Sequence, residues 1–257
     1  MTSQSKDRIV LVTGATSGIG RAVARTFTDA GARVIATGRD QGRLAEVARE
    51  VDLALTLDVT DAESIAIARA SVLDRYGGVD VVVNNAGVGL FEPWDRTAEA
   101  DLRRVMEIDF FGAVRVAEAF LPSLIERRGV LVQIASVAGR RAYARHTAYC
   151  AAKHALLGWS DALRLDLAGT GCDVVNVLPP AVRTPFFAAA GWATFEADHA
   201  GLALLTPETV ALTVRRAADE RPREVVVGAR AQAIQWAHRL APGLLDRVRP
   251  KRTKTGE

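Results

Sequence analysis

The chain has 257 residues, of which 49% are hydrophobic and 25% charged, a composition that indicates a folded globular protein. No apolar run in the sequence approaches the roughly 20 residues needed to span a bilayer. Five basic residues and one acidic residue lie between Arg247 and Glu257, so this tail carries a charge of +4 and the rest of the chain −1. A near-neutral body with a basic tail excludes a nucleic-acid-binding face, and we expect a solvated tail, with contact to a membrane or a partner as the less favoured alternative.

Seven short runs rich in β-branched residues alternate with longer segments of helical periodicity. The runs are nearly all apolar, as expected for parallel strands buried on both faces of a sheet. We predict strands at residues 8–13, 33–37, 53–59, 80–85, 130–135, 173–178 and 224–228. The alternation predicts an α/β fold with a single doubly wound, Rossmann-type parallel sheet flanked by helices.

Helical periodicity marks three segments between the strands. The first follows the first strand and ends at Gly31, a residue type common at helix C-termini; its apolar stripe consists of Ile19, Val23 and Phe27. Longer helices are predicted over 99–121 and 149–168. The earlier of these two places four apolar residues on one side: Leu102, Val105, Met106 and Phe110.

No Pro/Gly/Ser-rich linker and no internal repeat divides the chain. We therefore predict a single domain over residues 1–257, with its core at about 8–228 and a helical C-terminal extension at about 229–257. The N-terminus lacks the basic-then-apolar layout of a signal peptide, and Cys150 and Cys172 form no disulfide framework. We expect a cytoplasmic protein, and neither cysteine has a metal-ligand neighbour at zinc spacing, so no metal site is predicted.

A glycine-rich turn, TGATSGIG at 13–20, links the first strand to the first helix. Gly14 can form the turn, Gly18 lets the backbone approach a pyrophosphate, and Gly20 allows close packing of the helix. The free N–H groups and the dipole of the helix N-terminus then favour an anion. The glycine spacing differs from G-x-G-x-x-G, but its position after the first strand predicts a phosphate-binding turn.

This turn resembles that of the short-chain dehydrogenase/reductase family, whose motif is T-G-x-x-x-G-I-G, and the resemblance covers about residues 8–228. Asn-Asn-Ala-Gly at 84–87 is similar to the motif after the family's fourth strand. Ser136 stands thirteen residues before Tyr149, the family's usual spacing, and YCAAK at 149–153 resembles its Y-x-x-x-K. Asp58 and Val59 resemble its adenine-contacting pair.

The resemblance implies a nicotinamide dinucleotide cofactor and a small-molecule carbonyl or alcohol substrate. The implied catalytic residues are Ser136, Tyr149, Lys153 and Asp109. The implied cofactor-binding residues are Gly14, Thr16, Ser17, Gly18, Ile19, Gly20, Arg39, Asp58, Val59, Asn85, Ala86, Gly87, Tyr149, Lys153, Pro179, Val182 and Thr184.

The end of the second strand predicts which nicotinamide cofactor is used. In dinucleotide folds an acid there binds the ribose 2′-hydroxyl, whereas a nearby Arg accommodates a 2′-phosphate. Gly38 lies where the NAD-using relatives carry Asp, and Arg39 follows it. A guanidinium binds phosphate in a bidentate way, so we predict NADP(H). NAD(H) stays open because Asp40 could turn inward and Ser17 replaces a basic residue that many NADP-using relatives carry.

Tyr149 and Lys153 stand one helical turn apart on a predicted helix. A free tyrosine has a pKa of about 10, and a nearby ammonium is expected to lower that pKa. Such a tyrosine can protonate a carbonyl oxygen as hydride arrives, or deprotonate an alcohol in reverse. By the resemblance, Ser136 bonds the same oxygen, and Lys153 binds the nicotinamide ribose and joins a water relay.

Two positions depart from the family's pattern. Asp109 stands where the family completes a catalytic tetrad with Asn; its backbone carbonyl could still hold the relay water, but its side chain cannot donate as an amide does, and it could raise the charge demand on Lys153. Pro180 stands where P-G-x-x-x-T carries its glycine, which fixes φ and removes an N–H. Val182 and Thr184 keep their places in that motif.

The segment 184–206 falls where the family carries its mobile substrate lid. Its aromatic residues predict an apolar wall and an apolar substrate; they are Phe186, Phe187, Trp192 and Phe195. His146, just before Tyr149, could also reach the substrate. Family members commonly form dimers or tetramers through the two long helices, so a homo-oligomer is expected.

Two other functions stay open. A catalytically silent dinucleotide sensor is favoured by Asp109 and Pro180, although the intact serine, tyrosine and lysine weigh against it. A membrane-associated scaffold would use the basic tail, together with the C-terminal extension. The extension offers Ile234, Leu240, Leu244 and Leu245, which could instead cover the sheet edge.

Overall fold

The computed structural model describes residues 7–192 and 204–243. In this part of the chain, seven strands form one sheet in the order β3-β2-β1-β4-β5-β6-β7, and every neighbouring pair is parallel. The strands are β1 (Ile9–Val12), β2 (Arg33–Gly38), β3 (Leu53–Thr56), β4 (Val81–Asn84), β5 (Val130–Ile134), β6 (Asp173–Leu178) and β7 (Glu224–Val226). The predicted doubly wound parallel sheet is confirmed, and its order reverses between β1 and β4.

Helices cover both faces of this sheet. They are α1 (Gly18–Asp29), α2 (Gln41–Val47), α3 (Ala62–Tyr76), α4 (Glu99–Met106), α5 (Ala113–Glu126), α6 (Thr147–Asp166), α7 (Phe186–Ala189), α8 (Pro207–Glu220) and α9 (Ala229–Leu240). The sequence patterns above did not predict α2, α3 or α8. None of the helices in the described ranges combines the length and the apolarity needed to cross a bilayer.

Successive residues of each strand pack into opposite helix layers, which explains why the strand sequences are continuously apolar. On one face, Val10 packs in a core with Phe27 of α1. On the other face, Leu11 packs in a core with Val72 of α3 and Phe120 of α5. All five side chains are removed from solvent, with exposed fractions of zero or 1%.

The helix predicted over 99–121 is interrupted, which corrects that prediction. A π-helical turn, Glu107–Gly112, separates α4 from α5. The additional residue per turn changes the phase of the apolar stripe between α4 and α5. Within α4, Val105 is buried whereas Leu102 is exposed. Pro122 lies inside α5 without ending it.

The C-terminal extension is helical in its described part, as α9. Its inner face carries Gln235, which is buried and donates from Nε2 to the carbonyl oxygen of Val137 at 3.0 Å. The predicted apolar residues Leu244 and Leu245, the basic tail from Arg247, and the lid residue Phe195 lie outside the described residues.

Candidate active site

A cavity of about 970 Å³ opens at the carboxyl ends of the central strands. Parallel strands end at the same edge of the sheet, and ligands bind there in doubly wound folds. The loops after β1, β2, β4, β5 and β6 all contribute to its lining. Every residue predicted for the site lines this cavity except Gly20 and Asp109, which lie behind its wall.

The glycine-rich turn forms one end of the cavity. Gly14 and Gly18 have φ angles of +62° and +51°, in the left-handed region that favours glycine. A Cβ on Gly20 would collide with the carbonyl oxygen of Gly14, so Gly20 is a packing residue. Because Ser17, Gly18 and the first turn of α1 border the cavity, the turn fits the phosphates of a dinucleotide.

Thr13 and Asn85 hold this turn in place. The Thr13 hydroxyl accepts hydrogen bonds from the backbone N–H groups of Asn85 and Ala86 at 2.9 and 3.0 Å. The Asn85 side chain donates from Nδ2 to the carbonyl oxygen of Thr13 at 2.9 Å. These bonds join the loops after β1 and β4, and Thr13 is a supporting residue that the sequence motif alone did not single out.

Two arginines line the cavity at the end of β2. Arg39 was predicted there, and Arg43, at the start of α2, was not. Asp40 caps α2, since its Oδ1 accepts from the N–H of Arg43 at 2.9 Å. The Arg39 Nη1 lies 3.5 Å from Asp58 Oδ2. Burial alone would raise the pKa of the Asp58 carboxyl, but hydrogen bonds from Thr60 and the Arg39 charge hold it below its usual value.

The N-terminal half of α6 carries Tyr149 and Lys153 into the cavity. The Lys153 Nζ lies 5.6 Å from the centroid of the Tyr149 ring and donates to the carbonyl oxygen of Ile134 at 3.3 Å. Ser136 follows β5, and its Oγ accepts from the N–H of Ala138 at 3.1 Å. The structure therefore brings the predicted serine, tyrosine and lysine together.

Tyr149 is half-buried at the wall of the cavity, and the loss of hydration there opposes the effect of Lys153 on its pKa. Burial raises the pKa of the Tyr149 phenol above its ordinary value; the Lys153 ammonium and a hydrogen bond with Ser136 lower it, and the Asp109 carboxylate raises it further. The predicted lowering effect of Lys153 on the Tyr149 pKa is present, but burial outweighs it. Desolvation of a phenolate costs more than one nearby ammonium returns.

Asp109 lies in the π-helical turn and contacts Lys153 directly. Its Oδ2 is 3.2 Å from the Lys153 Nζ, and its Oδ1 accepts from the N–H of Val88 at 2.7 Å. Burial raises the pKa of the Asp109 carboxyl, opposed by the Lys153 charge. Burial alone would lower the pKa of Lys153, but Asp109 and Tyr149 raise it. Lys153 is therefore held as an ammonium.

An aromatic wall covers the opening beside Tyr149. Its centre is Phe91, which is 4% exposed and which no sequence motif indicated. The ring centroid of Phe91 lies within 6 Å of those of His146, Tyr149, Phe186, Phe187 and Trp192. The lid residues Phe186, Phe187 and Trp192 thus meet over the tyrosine, and His146 lines the cavity with them.

The loop after β6 closes the cavity from the other side. The carbonyl oxygen of Pro179 accepts from the N–H of Val137 at 3.1 Å, which ties this loop to the turn after Ser136. A Cβ on Gly18 would lie 3.2 Å from the Thr184 Cγ2, so this loop also contacts the glycine-rich turn. Pro180 lines the cavity without displacing Val182 or Thr184 from it.

Comparisons with known proteins agree with this geometry. A family model described as short chain dehydrogenase matches residues 8–192. Dehydrogenase/reductase SDR family member 7B of Danio rerio is 38% identical over 70% of this chain; the aligned part covers 62% of that protein, less than two thirds of its length.

Two solved structures extend the comparison. A short-chain dehydrogenase from Streptomyces avermitilis is 33% identical, with a TM-score of 0.81, covering 94% of this chain and 96% of that one. A short chain dehydrogenase from Burkholderia cenocepacia in complex with NADP is 25% identical, with a TM-score of 0.83, covering 96% of this chain and 100% of that one.

Proposed function

The chain belongs to the short-chain dehydrogenase family, and we propose that it is an NADP(H)-dependent oxidoreductase that interconverts a ketone or aldehyde and an alcohol. One observation carries this proposal. Ser136, Tyr149 and Lys153 line the same cavity as the phosphate-binding turn at Gly14 and Gly18. A dinucleotide that places its phosphates at the turn can therefore reach the tyrosine with its other end.

The side chains divide the proton chemistry between them. When bound, the nicotinamide supplies the hydride for reduction or accepts it in oxidation. The Tyr149 phenol donates its proton to the carbonyl oxygen, and as phenolate it takes the hydroxyl proton of an alcohol. Ser136 holds that oxygen by a hydrogen bond, and the ammonium of Lys153 stabilises the phenolate.

The preference for NADP(H) rests on the charges at the end of β2. Gly38 brings no carboxylate to the cavity there, and a Cβ at this position would contact the Thr16 side chain. Arg39 and Arg43 both line that end, whereas Asp40 is engaged in capping α2. Two guanidinium groups favour a 2′-phosphate over a 2′-hydroxyl. The Burkholderia cenocepacia relative in complex with NADP supports this choice.

The aromatic wall favours an apolar substrate. Phe91, Phe186 and Trp192 surround the space next to Tyr149, and an unpaired charge buried against these rings would lose its hydration. An aromatic or branched aliphatic carbonyl compound gains by burying its own apolar surface there. We propose this class of substrate.

The two long helices support the proposal of a homo-oligomer. Phe111, in the π-helical turn, is 45% exposed, and Leu165, near the end of α6, is 65% exposed. Apolar side chains exposed on the helices that commonly pair in this family are suited to a second copy of the chain. A cytoplasmic location remains a prediction.

A panel of carbonyl compounds and alcohols, assayed with NADPH and NADH in parallel, tests the proposed function. We expect Tyr149→Phe to lower kcat by about 10²–10⁴-fold, the usual contribution of a general acid, and to change the Kd of NADPH little. Tyr76→Phe, on α3 and away from the cavity, is the matched control. Retained turnover in Tyr149→Phe refutes the mechanism, and NADPH binding without turnover of any compound by the unchanged protein would favour the sensor.

A further inference from the structure

Three titratable side chains lie in a row that leads from the cavity wall into the interior of the protein. Tyr149 lines the cavity, Lys153 lies one turn further along α6, and Asp109 lies behind Lys153. The side chains of Lys153 and Asp109 are 6% and 0% exposed. Salt and solvent therefore screen the interaction between these charges less than they would at the surface.

The π-helical turn fixes the carboxylate in this place. One oxygen of Asp109 accepts from the N–H of Val88, and the other faces the Lys153 ammonium. A Cβ on Gly87 would lie 3.1 Å from the second oxygen, so the loop after β4 packs against the carboxylate. An Asn at this position could accept from Val88 in the same way, but it would bring no charge to Lys153.

The charge of the cluster decides how readily Tyr149 ionises. With Asp109 ionised and Lys153 protonated, the pair is neutral, and loss of the phenol proton leaves a buried net charge of −1. With a neutral residue at 109, the same loss joins a phenolate to an ammonium and leaves a net charge of zero. The second change is the easier one in a buried site.

We propose that Asp109 is a positioning residue for the acid/base pair: its carboxylate neutralises Lys153 and keeps Tyr149 as the phenol, the form that donates a proton to a carbonyl oxygen. This inference rests on the proposed function. It predicts that carbonyl reduction is catalysed more efficiently than alcohol oxidation near neutral pH, because reduction uses the phenol, whereas oxidation needs the phenolate. The raised pKa values of Tyr149 and Lys153, to both of which the Asp109 charge contributes, agree with it.

Other ionisable groups packed around the cluster act in smaller ways. Arg104 on α4 favours the ionised form of Asp109. Cys150, next to Tyr149 on α6, disfavours the phenolate. His146 packs on Phe91, which also contacts Tyr149. Substitution at 109 leaves all of these in place, so differences in Tyr149 ionisation between variants report the carboxylate.

The test is a titration of phenolate absorbance in the cofactor-free full-length protein. The chain has three tyrosines, so the curve of Tyr149→Phe is subtracted to isolate Tyr149, both alone and in combination with Asp109→Asn. A nearby unit charge at an effective dielectric constant of about 20 shifts the pKa of a neighbouring group by about one to two units. We expect Asp109→Asn to move the Tyr149 titration to lower pH by that amount.

Two further variants make the result specific. Glu99→Gln removes the same charge from the exposed face of α4, where Glu99 is 74% exposed, and is expected to leave the Tyr149 titration unchanged. Asp109→Ser, which is smaller, replaces Asp109→Asn if the latter does not fold. A Tyr149 titration at the same or higher pH in the Asp109 variant overturns the proposal.

The pH profile of the enzyme provides a second measurement. In carbonyl reduction, we expect Asp109→Asn to lose kcat at lower pH on the alkaline side than the unchanged protein does, because its phenol is lost earlier. An alkaline limb that stays in place would contradict the inference. If no carbonyl compound is reduced at all, the proposed function fails while the titration still decides the role of Asp109.

Discussion

Arg39 and Arg43 are expected to set the preference for NADPH over NADH. A hydrogen bond to a charged group contributes about 1.5–3 kcal/mol. The two side chains are 63% and 61% exposed, so each contact belongs at the low end of that range, at about 1.5 kcal/mol, which is a factor of about ten in affinity. We therefore expect Arg39→Ala and Arg43→Ala each to raise the Kd of NADPH about tenfold, and the double variant to raise it by up to about 100-fold.

Fluorescence titration with NADPH and NADH in parallel measures this effect. NADH lacks the 2′-phosphate, so its Kd is an internal control and should change less than about threefold in the same variants. Arg49→Ala, an exposed arginine shortly after α2 that does not line the cavity, is the matched control for the loss of one positive charge. Equal weakening of both cofactors, or an unchanged Kd for NADPH in the double variant, would refute the assignment of these arginines to a 2′-phosphate.

Two further predictions concern the aromatic wall and a salt-bridge network. Phe91→Ala should lower the free energy of unfolding by about 3 kcal/mol, the low end for a buried Phe, because this ring borders a cavity. The same substitution should raise KM more for aromatic than for small aliphatic carbonyl compounds. Urea unfolding and the two KM values measure these effects, and equal changes in KM would contradict the role of the aromatic wall. Burial alone would raise the pKa of Asp161, but hydrogen bonds from Arg223 and Arg140 lower it, so its stabilising effect is present above about pH 4 and is lost as pH falls through the lower folded-state pKa. Asp161→Asn should thus lower Tm near neutral pH, and its difference from the unchanged protein should shrink below pH ~4; a difference that is constant with pH would contradict this.

The fold was predictable because the strands carry a strong local signal. Buried parallel strands need apolar residues on both faces, so β1, β4 and β5 are visible as continuous apolar runs. The helix α3 was missed because its buried stripe of Ile65, Ala68 and Val72 is obscured by Ile67, an apolar residue that is 61% exposed. The π-helical turn was missed because one additional residue per turn leaves no local mark in the composition.

The site was predictable only where a residue type is itself the signal. The glycines of the turn, and Tyr149 with Lys153 four residues later, have fixed spacings along the chain. Phe91 has no such spacing, because its role depends on rings that reach it from α6 and from the lid. Asp109 was identified as a departure from the family's pattern, but its direct contact with Lys153 required the structure.

The C-terminal extension contacts the turn after Ser136, and this contact gives the extension a structural role that no motif indicated. Gln235 bonds the carbonyl oxygen of Val137, the residue after Ser136. Arg239 pairs with Glu224 at 2.8 Å, and Glu224 also pairs with Arg140 at the end of the same turn. Because a hydrogen bond to the Val137 carbonyl and a shared carboxylate both hold this turn, α9 restricts the position of Ser136, which binds the reacting oxygen in the proposed function. The extension is therefore part of the support of the site, whatever its exposed face contacts.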